Sequence, residues 1–412
     1  ATVKIEYNDL AGNQVGIKVE GDAVVDAGGG SLGSDGHNTL TGYTGVPGNY
    51  AIQNLNTTVD VLAQYNNFGP YVDILIIENY VYDDTDDPTR SEIDFSNALN
   101  QQTAVTPVYV DDGWVGTPLG TLVDPDGPLG PIDPVTFGVG GFAIIQDGVN
   151  AVQAGGTVNV LAGTYVENPV IDQSLSLIGP NAGVAGNGTR NPEAVIRSRG
   201  DNSGVVLVTA SDVTVQGFLI DGDAASAGLP VHSGADANVY YGISNYLSAP
   251  TPVIFPISGL EVRDNIIQRA AIGVRGQGSG SGTSVDNVID NNLFRDIGVY
   301  DWGYGVTLRD DFYADVTNNV MDRVWTGIHT SDGFGSGGPT AWSMSNNEIN
   351  SYAGGMWLNT LYTGTSPLTV SGNQIQWEDV DVNSDPLAPV PNNLGMLLTG
   401  VQSSLKIGRA HV

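Results

Sequence analysis

The chain contains no cysteine and few positive charges. None of its 412 residues is cysteine, so disulfide bonds, cysteine metal ligands and a cysteine nucleophile are excluded. Lysine and arginine number 14 against 45 acidic residues, and the formal net charge of −31 disfavours nucleic acids and anionic membranes as partners. No apolar run reaches the roughly 18 residues of a membrane-spanning helix. The sequence therefore predicts neither a nucleic-acid partner nor a membrane span.

Glycine, in contrast, is abundant. The chain has 56 glycines and only 14% charged residues, which is typical of a β protein with many turns rather than of a disordered chain. A hydrophobic share of 41% can fill a long, narrow core. A core of this shape is typical of a solenoid, a fold that is stabilised by the stacking of its repeats and therefore needs no disulfide bonds. We therefore expect an all-β protein.

An asparagine recurs about every 27 residues within the pattern apolar-x-x-Asn-x-apolar. The recurring residues are Asn265, Asn292, Asn319, Asn347 and Asn373, whose numbers differ successively by 27, 27, 28 and 26. A period of this length predicts a solenoid in which each strand pairs with its copy about 4.8 Å away in the next coil. The asparagines are then expected to form a ladder of side-chain amides along the stack. The alternative is that Asn only tolerates a left-handed turn conformation at this bend.

A glycine followed by an apolar residue accompanies the asparagine. Gly273, Gly327 and Gly355 each follow their Asn by 8 positions, and inserted loops lengthen this step before Gly305 and Gly395. The residue after each glycine is expected to point inward, so alternation directs the second and fourth residues after it outward. We call these two outward columns the outer strand face. The first column is Ser244, Arg275, Thr307, His329 and Trp357, and the second is Tyr246, Gln277, Arg309, Ser331 and Asn359.

The organisation along the chain suggests two solenoid units. Residues 1–80 are predicted to be the C-terminal coils of a first β-helix, because Asn8 and Gly16 repeat the coil pattern with the same 8-residue step. The chain is therefore expected to start inside a solenoid and to be part of a longer protein. Residues 81–135 are rich in Asp and Pro and are predicted to be a cap or linker. Residues 136–405 are predicted to be a second parallel β-helix.

The second unit is expected to begin with a capping helix and to end before a foreign tail. Phe142, Ile145, Val149 and Val152 fall on one helix face, and glycines at 155 and 156 end the helix. At the head of a solenoid such a helix covers unpaired strand edges. Residues 406–412 break the alternation and resemble the translation of a sequencing adapter, so we expect them to be non-native read-through without a function.

Two acidic segments are candidate calcium sites. Asp124 and Asp126 lie in an Asp-Pro-Asp-Gly sequence, and four aspartates lie within residues 83–87. Carboxylates of this kind can bind calcium, but the full ligand spacing of a helix-loop-helix calcium site is missing. We therefore predict solvated acidic loops and no resident cofactor or metal, with calcium as the cation to consider.

The opening of the second unit resembles the pectin-lyase-like superfamily of right-handed parallel β-helix proteins. The resemblance is carried by residues 145–152, 155–158, 163–167, 174–179 and 213–218. It extends over most of residues 140–405 and, more weakly, over residues 1–80. It implies a right-handed parallel β-helix but no particular activity, because the superfamily contains lyases, hydrolases, esterases, epimerases, phage tailspikes and surface proteins without known activity.

The catalytic patterns of that superfamily are only partly present. Gly163, Tyr165 and Glu167 match the Gly-x-Tyr-x-Glu opening of pectin methylesterases, but their later catalytic segments have no counterpart, so Tyr165 is expected to pack the first coil. Polygalacturonase-like hydrolases have an Asp-Asp pair followed by a histidine. Asp310-Asp311 and His329 match that part, whereas the preceding Asn-Thr-Asp and the closing Arg-Ile-Lys are absent.

The outer strand face is the candidate functional site. The catalytic candidates are Arg309, Asp310, Asp311 and His329, and the ligand-binding candidates are Tyr246, Arg275, Trp302, Asp332, Trp357 and Asn359. Aromatic rings flanked by arginines are what an acidic polysaccharide requires. The competing interpretation is an ordinary solenoid surface with scattered aromatic residues.

Two functions follow from this face. The favoured one is a secreted or surface-anchored bacterial β-helix protein that acts as a structural spacer, an adhesin or a glycan binder. The alternative is an enzyme acting on an acidic polysaccharide. A lyase would use Arg309 or Arg275 to neutralise the uronate and His329 as the base, whereas a glycoside hydrolase would use Asp310 or Asp311 as the acid. The lyase is the favoured enzyme, because cations are scarce in this chain and two of them, Arg275 and Arg309, lie on this face.

Overall fold

The structure is a parallel β-solenoid, as the repeat predicts. The computed structural model describes residues 1–72, 77–101, 106–118, 120–128, 130–200, 204–223, 229–230, 236–237, 239–248, 251–279, 284–298, 302–331, 342–359, 368–377, 394–399 and 406–407. In these residues most strands pair in parallel. The chain divides into two compact units, Ala1–Val105 with Thr117–Gly141 and Thr106–Gly116 with Phe142–Val412. No helix within the described ranges has the length and apolarity needed to cross a membrane.

The first unit consists of short strands stacked in parallel. Its strands are β1 (Thr2–Lys4), β2 (Val15–Val19), β3 (Val24–Asp26), β4 (Tyr50–Asn54), β5 (Val61–Leu62), β6 (Asn67–Val72), β7 (Val81–Tyr82), β8 (Ile93–Asp94), β9 (Leu99–Gln101), β11 (Leu122–Val123) and β12 (Val135–Thr136). The parallel sheets have the orders β1-β3-β5-β8, β2-β4-β7 and β6-β9, whereas β11 and β12 form an antiparallel pair. The core between the sheets includes Leu40, Ile52 and Ile93, which are buried.

An asparagine ladder holds the coils of the first unit together. Oδ1 of Asn38 accepts hydrogen bonds from the backbone N–H and from Nδ2 of Asn8, at 3.0 and 2.9 Å. Asn38 donates in the same way to Oδ1 of Asn66, at 2.9 and 2.8 Å. The coil pattern predicted at Asn8 therefore continues into the next two coils.

Residues 81–135, predicted as one cap or linker, are divided between the two units. β7, β8 and β9 pair in parallel with β4, β5 and β6, so they continue the coils of the first unit. The next strand, β10 (Val108–Val110), belongs to the second unit. The boundaries at 80 and 135 therefore differ from the structure, because strands of two or three residues are too short to show an alternation.

Asp83 is not in a solvated loop, which corrects the prediction for that residue. It is buried, and its carboxylate accepts hydrogen bonds from the backbone N–H groups of Thr85 and Ile93, both at 3.0 Å. A buried carboxylate requires such donors, and here the neighbouring coil supplies one of them. Asp124 and Asp126 instead accept from backbone groups within their own loop.

One long parallel sheet runs along the second unit. From end to end it contains β13 (Gly141–Phe142), β10, β14 (Gly156–Val160), β17 (Leu175–Ile178), β20 (Val213–Gln216), β27 (Glu261–Arg263), β30 (Ser284–Asp290), β33 (Phe312–Thr317), β35 (Trp342–Ser345), β37 (Leu368–Ser371) and β40 (Lys406–Ile407). Residues 406 and 407, predicted to lie in a non-native tail, thus pair with β37. The remainder of that tail, residues 408–412, lies outside the described residues.

A second sheet covers the other sides of this solenoid. Its strands are β15 (Gly163–Val166), β16 (Val170–Ile171), β18 (Ala194–Arg197), β19 (Gly204–Val208), β21 (Leu219–Asp221), β24 (Tyr241–Ser244), β28 (Ile266–Gln268), β29 (Ile272–Gln277), β31 (Leu293–Ile297), β32 (Tyr304–Arg309), β34 (Val320–Ser331), β36 (Glu348–Asn359), β38 (Gln374–Trp377) and β39 (Leu394–Thr399). The first part of β34 pairs with β31 and its last part with β32, so this strand joins two halves of the sheet. β22 (Leu229–Pro230) with β23 (Asp236–Ala237), and β25 (Tyr246–Leu247) with β26 (Val253–Ile254), are short antiparallel pairs.

A helix lies where it was predicted and explains the Gly-x-Tyr-x-Glu motif, although it is shorter than expected because Phe142 belongs to β13. Helix α1 (Ile145–Ala151) has no side-chain cap of its own, and Glu167 supplies one. The two carboxylate oxygens of Glu167 accept the backbone N–H groups of Ile145 and Gln146 at 2.9 and 3.1 Å. The Tyr165 hydroxyl donates to the carbonyl oxygens of Val110 and Leu161. The motif therefore packs and caps the first coil, as predicted for Tyr165.

The predicted asparagine ladder is also confirmed in the second unit. Asn265, Asn292, Asn319 and Asn347 each donate their backbone N–H and Nδ2 to Oδ1 of the next ladder asparagine, at 2.8 to 3.1 Å. The left-handed conformation belongs to the residue before each ladder Asn, with φ between 54° and 67°. The ladder residues are thus selected for their amides rather than for a left-handed backbone.

The recurring glycine is required by the core. A Cβ at Gly327 would lie 2.5 Å from the carbonyl oxygen of Gly355 and 2.6 Å from Cγ2 of Ile349, both in the next coil. A Cβ at Gly242, Gly273 or Gly305 would likewise meet the carbonyl oxygen of the next glycine of the series and an apolar side chain. Because the apolar residue two positions after each ladder Asn fills the space above a glycine, the two sequence marks occur together.

Candidate functional site

The strand register places successive residues of the outer strand face side by side on neighbouring strands. Ser244 pairs with Arg275, Arg275 with Thr307, Thr307 with His329, and His329 with Trp357. In the second column Gln277 pairs with Arg309, Arg309 with Ser331, and Asn359 with Thr399. Tyr246 departs from this column, because β25 turns away to pair antiparallel with β26. Asp332 lies outside the described residues.

Most of this face is buried, although its residues point away from the core. Arg275 and His329 are only 9% and 8% exposed, whereas Trp357 is 39% exposed. Alternation gives the direction of a side chain but not what covers it, so the sequence did not indicate this burial. Trp357 is consequently the accessible aromatic residue of the first column.

Arg275 lies between two tyrosines. Its Cζ is 3.7 Å from the centroid of the Tyr246 ring and 5.2 Å from that of Tyr241. Nη1 donates to the Tyr241 hydroxyl and Nη2 to Oε1 of Gln277, both at 2.8 Å, whereas Nε has no hydrogen-bond partner. Burial lowers the pKa of Arg275, and the charge of Arg309 lowers it further. Unlike Arg263, Arg269 and Arg323, Arg275 has no carboxylate partner among the described residues.

Asp310 and Asp311 form a tight turn beside Arg309. Both have a left-handed backbone, with φ of 47° and 65°, an arrangement that Asp tolerates better than most residues. The side-chain amide of Gln277 donates to the Asp310 carboxylate, and the Tyr313 hydroxyl donates to that of Asp311 at 3.4 Å. The two carboxylates are thus held by neutral donors on neighbouring strands.

His329 is fixed by three neighbours. Its Nδ1 is 2.9 Å from the Thr307 hydroxyl, and its ring stacks on Tyr304 with centroids 4.2 Å apart. The Trp357 ring lies edge-on at 5.5 Å. Burial raises the pKa of Tyr304, so this hydroxyl stays protonated and neutral around pH 7.

Trp302 reaches the site through other aromatic rings. It stacks on Tyr240 with centroids 6.1 Å apart, and Tyr240 contacts Tyr241 at the same distance. Tyr241 is the hydroxyl partner of Arg275, so Trp302 belongs to the surroundings of that guanidinium. Asn359 is half-buried further along the second column.

Sequence reasoning missed Tyr241 and Tyr304. Each immediately precedes a glycine of the Gly-apolar mark, Gly242 and Gly305, and contacts an ionisable side chain of the outer strand face. The sequence signal that could have identified them is a tyrosine directly before the recurring glycine in these two coils.

A cavity of about 180 Å³ lies beside Tyr246. Its walls are mainly apolar and include Val206, Leu207 and Leu247, and Ser244 is a polar member. Ser244 pairs directly with Arg275 on the next strand. An apolar cavity with a few polar groups at its rim is typical of a small-ligand site.

The described residues contain no cluster of three or more His, Asp or Glu side chains arranged to hold a metal ion. Comparison of the chain with protein-family models, with curated proteins and with solved structures found no match.

Proposed function

We propose that this protein is an extracellular structural or adhesive β-solenoid that binds an acidic glycan along the outer strand face. The observation that carries the proposal is Arg275, a buried guanidinium with an unpartnered Nε and no carboxylate partner in the described chain. Buried charges are normally paired. Since the chain has 45 acidic residues, an arginine left without one is suited to a carboxylate from a ligand.

The aromatic residues around Arg275 and at the other end of the column suit sugar rings. The Tyr246 ring forms one wall of the cavity and also contacts the guanidinium. Trp357 lies three strand positions beyond Arg275, about 14 Å along the column at a strand spacing of about 4.8 Å. An oligosaccharide lying along the solenoid axis would contact both Tyr246 and Trp357.

The structural or adhesive role rests on the architecture. A parallel solenoid offers a long surface whose binding residues repeat at the strand spacing, which suits extended polymers. The resemblance to right-handed pectin-lyase-like β-helix proteins supports a bacterial cell-surface or secreted location, because that superfamily includes surface proteins. The excess of acidic residues favours a soluble, well-hydrated surface.

A polysaccharide lyase is the second candidate, and His329 favours it. Its ring is held between Tyr304 and Trp357 with Nδ1 on Thr307, an arrangement that fixes the ring as a general base requires. Arg309 lies on the neighbouring strand and would neutralise the uronate, whereas Asp310 or Asp311 would serve a hydrolase as the acid.

One experiment tests both functions. The full chain is incubated with uronate-containing polysaccharides, with and without calcium, and both binding and the ultraviolet absorbance of an unsaturated product are followed. Retention of the polysaccharide without new product, and its loss in Trp357→Ala and Arg275→Gln, supports the binder. Product formation that disappears in His329→Ala establishes the lyase instead. A protein that neither binds nor cleaves any of them refutes both.

A further inference from the structure

The first unit carries an exposed column of aromatic side chains. Tyr7, His37 and Tyr65 occupy one position in three successive coils, each immediately before an asparagine of the ladder. The backbone N–H of Tyr7 donates to the carbonyl oxygen of Gly36 at 2.9 Å, and that of His37 donates to the carbonyl oxygen of Tyr65 at 2.8 Å. We call these three residues the aromatic column.

The backbone of the aromatic column is unfavourable for tyrosine. Tyr7, His37 and Tyr65 have φ of 58°, 55° and 58°, in the left-handed region. Bulky residues adopt this region rarely, because the Cβ approaches the backbone too closely. Tyr7 and Tyr65 therefore cost conformational energy that Asn or Gly would not cost at the same place, whereas histidine tolerates this region better than most residues.

The fold itself does not require aromatic residues there. The equivalent position of the second unit is occupied by residues that tolerate the left-handed conformation, namely Asp264, Asn291, Asn318, Asn346 and Gly372. In the first unit, the coil after Tyr65 has Asn97 at this position, with φ of 58°. The five positions of the second unit and Asn97 in the first show that small polar residues or glycine are sufficient for this turn, so the aromatic residues serve another purpose.

The aromatic column faces solvent. Tyr7 is 64% exposed and Tyr65 40% exposed, and the ring of His37 is exposed as well. Tyr7 and His37 stack with centroids 5.1 Å apart and an interplanar angle of 2°. Aromatic rings that are left in water despite a backbone penalty indicate a ligand, because strained residues concentrate at functional sites.

The charges beside the aromatic column are acidic. The Tyr7 hydroxyl donates to Oδ2 of Asp35 at 3.3 Å, and the backbone N–H of Asp35 donates to Glu6 at 3.1 Å. The nearby cation, Lys4, is paired with Glu6 at 2.9 Å. These carboxylates can accept hydrogen bonds from hydroxyl groups, but they would repel an anionic ligand.

We propose that the aromatic column binds a neutral polysaccharide. The solvent-exposed parts of the aromatic rings attract the C–H groups of pyranose rings, and Asp35 and Glu6 accept sugar hydroxyls. Successive coils are about 4.8 Å apart, so consecutive sugar residues of one chain meet consecutive side chains of the column. This ligand class differs from the acidic glycan proposed for the outer strand face, and the inference does not rest on that site.

The test exploits the fact that Asn is the ordinary residue at this turn. The full chain and the variant Tyr7→Asn/His37→Asn/Tyr65→Asn are compared for retention on insoluble cellulose and chitin and in gels containing soluble glucan, xylan or mannan. We expect the wild type to bind at least one of them and the triple variant to bind about tenfold more weakly or worse. The thermal midpoint of the variant should be unchanged or higher.

Two controls make the result decisive. Trp357→Ala should retain binding to neutral glycans, and the triple variant should retain whatever binding to polygalacturonate the wild type has. The inference is overturned if the wild type binds none of the neutral glycans, or if the triple variant binds them equally well. It is also overturned if the triple variant melts at a lower temperature, because the aromatic residues would then be structural.

Discussion

Gly327 lies directly beneath Ile349 of the next coil, at a point where no side chain can be accommodated. A Cβ at this position would meet the carbonyl oxygen of Gly355 as well as Cγ2 of Ile349. The carbonyl oxygen belongs to the backbone of a paired strand and cannot rotate away. At the strand spacing of about 4.8 Å that the parallel pairing imposes, only glycine fits here.

We expect Gly327→Ala to lower the free energy of unfolding by about 2 kcal/mol or more, because the added methyl group forces neighbouring coils apart. Urea denaturation measures the change. The matched control is Gly395→Ala, since Gly395 has the same place in a later coil and nothing within 4 Å of its Cβ position. Equal losses in the two variants would contradict the role of the inter-coil contact.

Asn319 lies in the middle of the ladder, with one asparagine donating to it and another accepting from it. Its Oδ1 accepts two bonds from Asn292, and its Nδ2 donates to Oδ1 of Asn347 and to the carbonyl oxygen of Ile289. Asn319→Ala leaves buried donors of Asn292 without an acceptor, and we expect a loss of about 3 kcal/mol.

The control for the ladder is Gln374→Ala, which removes an exposed amide beside the last ladder residue and should change the free energy of unfolding by less than about 0.5 kcal/mol. Both variants are compared by chemical denaturation at the same pH. A loss at Asn319 no larger than that at Gln374 would show that the ladder amides do not stabilise the stack.

The sequence predicted the ladder and helix α1 well, because both depend on patterns with a fixed period. It predicted the divisions at 80 and 135 poorly, since the coils around β7 and β8 consist of two-residue strands joined by long turns. The burial of Arg275 could not be predicted either. It depends on Tyr241 and Tyr246, whose rings meet the guanidinium only because of how neighbouring coils pack.

Glu167 makes the cap of helix α1 dependent on pH. Burial raises the pKa of its carboxyl more than the two backbone N–H donors lower it. A carboxyl whose pKa is higher in the folded state binds protons more tightly there. Its contribution to stability is therefore complete below the unfolded value of about 4.5 and is lost as the pH rises through the raised pKa.

Glu167→Gln removes this titration and keeps the shape of the side chain. The free energy of unfolding of the wild type, minus that of the variant, should therefore decrease as the pH rises from about 4.5 towards neutrality. Denaturant titrations of both proteins across that range give the difference directly. A difference that grows with pH would mean that the ionised carboxylate is the better cap and that its pKa is lowered.

Arg275 and Arg269 are expected to have opposite effects on the stability of this solenoid, because only Arg269 is paired with carboxylates. Arg269 donates to both carboxylate oxygens of Asp221, which is only 1% exposed, and to Asp223 at 2.5 Å. Arg275 has only neutral partners among the described residues. Without Arg269 the buried Asp221 would keep only the longer contact with Arg197, at 3.6 Å, and lose most of its compensation. Removing an unpaired buried charge instead relieves its desolvation.

We therefore expect Arg269→Met to lower the free energy of unfolding by about 3 kcal/mol and Arg275→Met to leave it unchanged or raise it. Binding of polygalacturonate should respond in the reverse order, with a loss in Arg275→Met and retention in Arg269→Met under conditions where both are folded. Thermal unfolding and affinity electrophoresis give the two measurements on the same samples. If Arg275→Met were as destabilising as Arg269→Met, the guanidinium would be a structural element of the face, and its unpartnered Nε would no longer indicate a ligand.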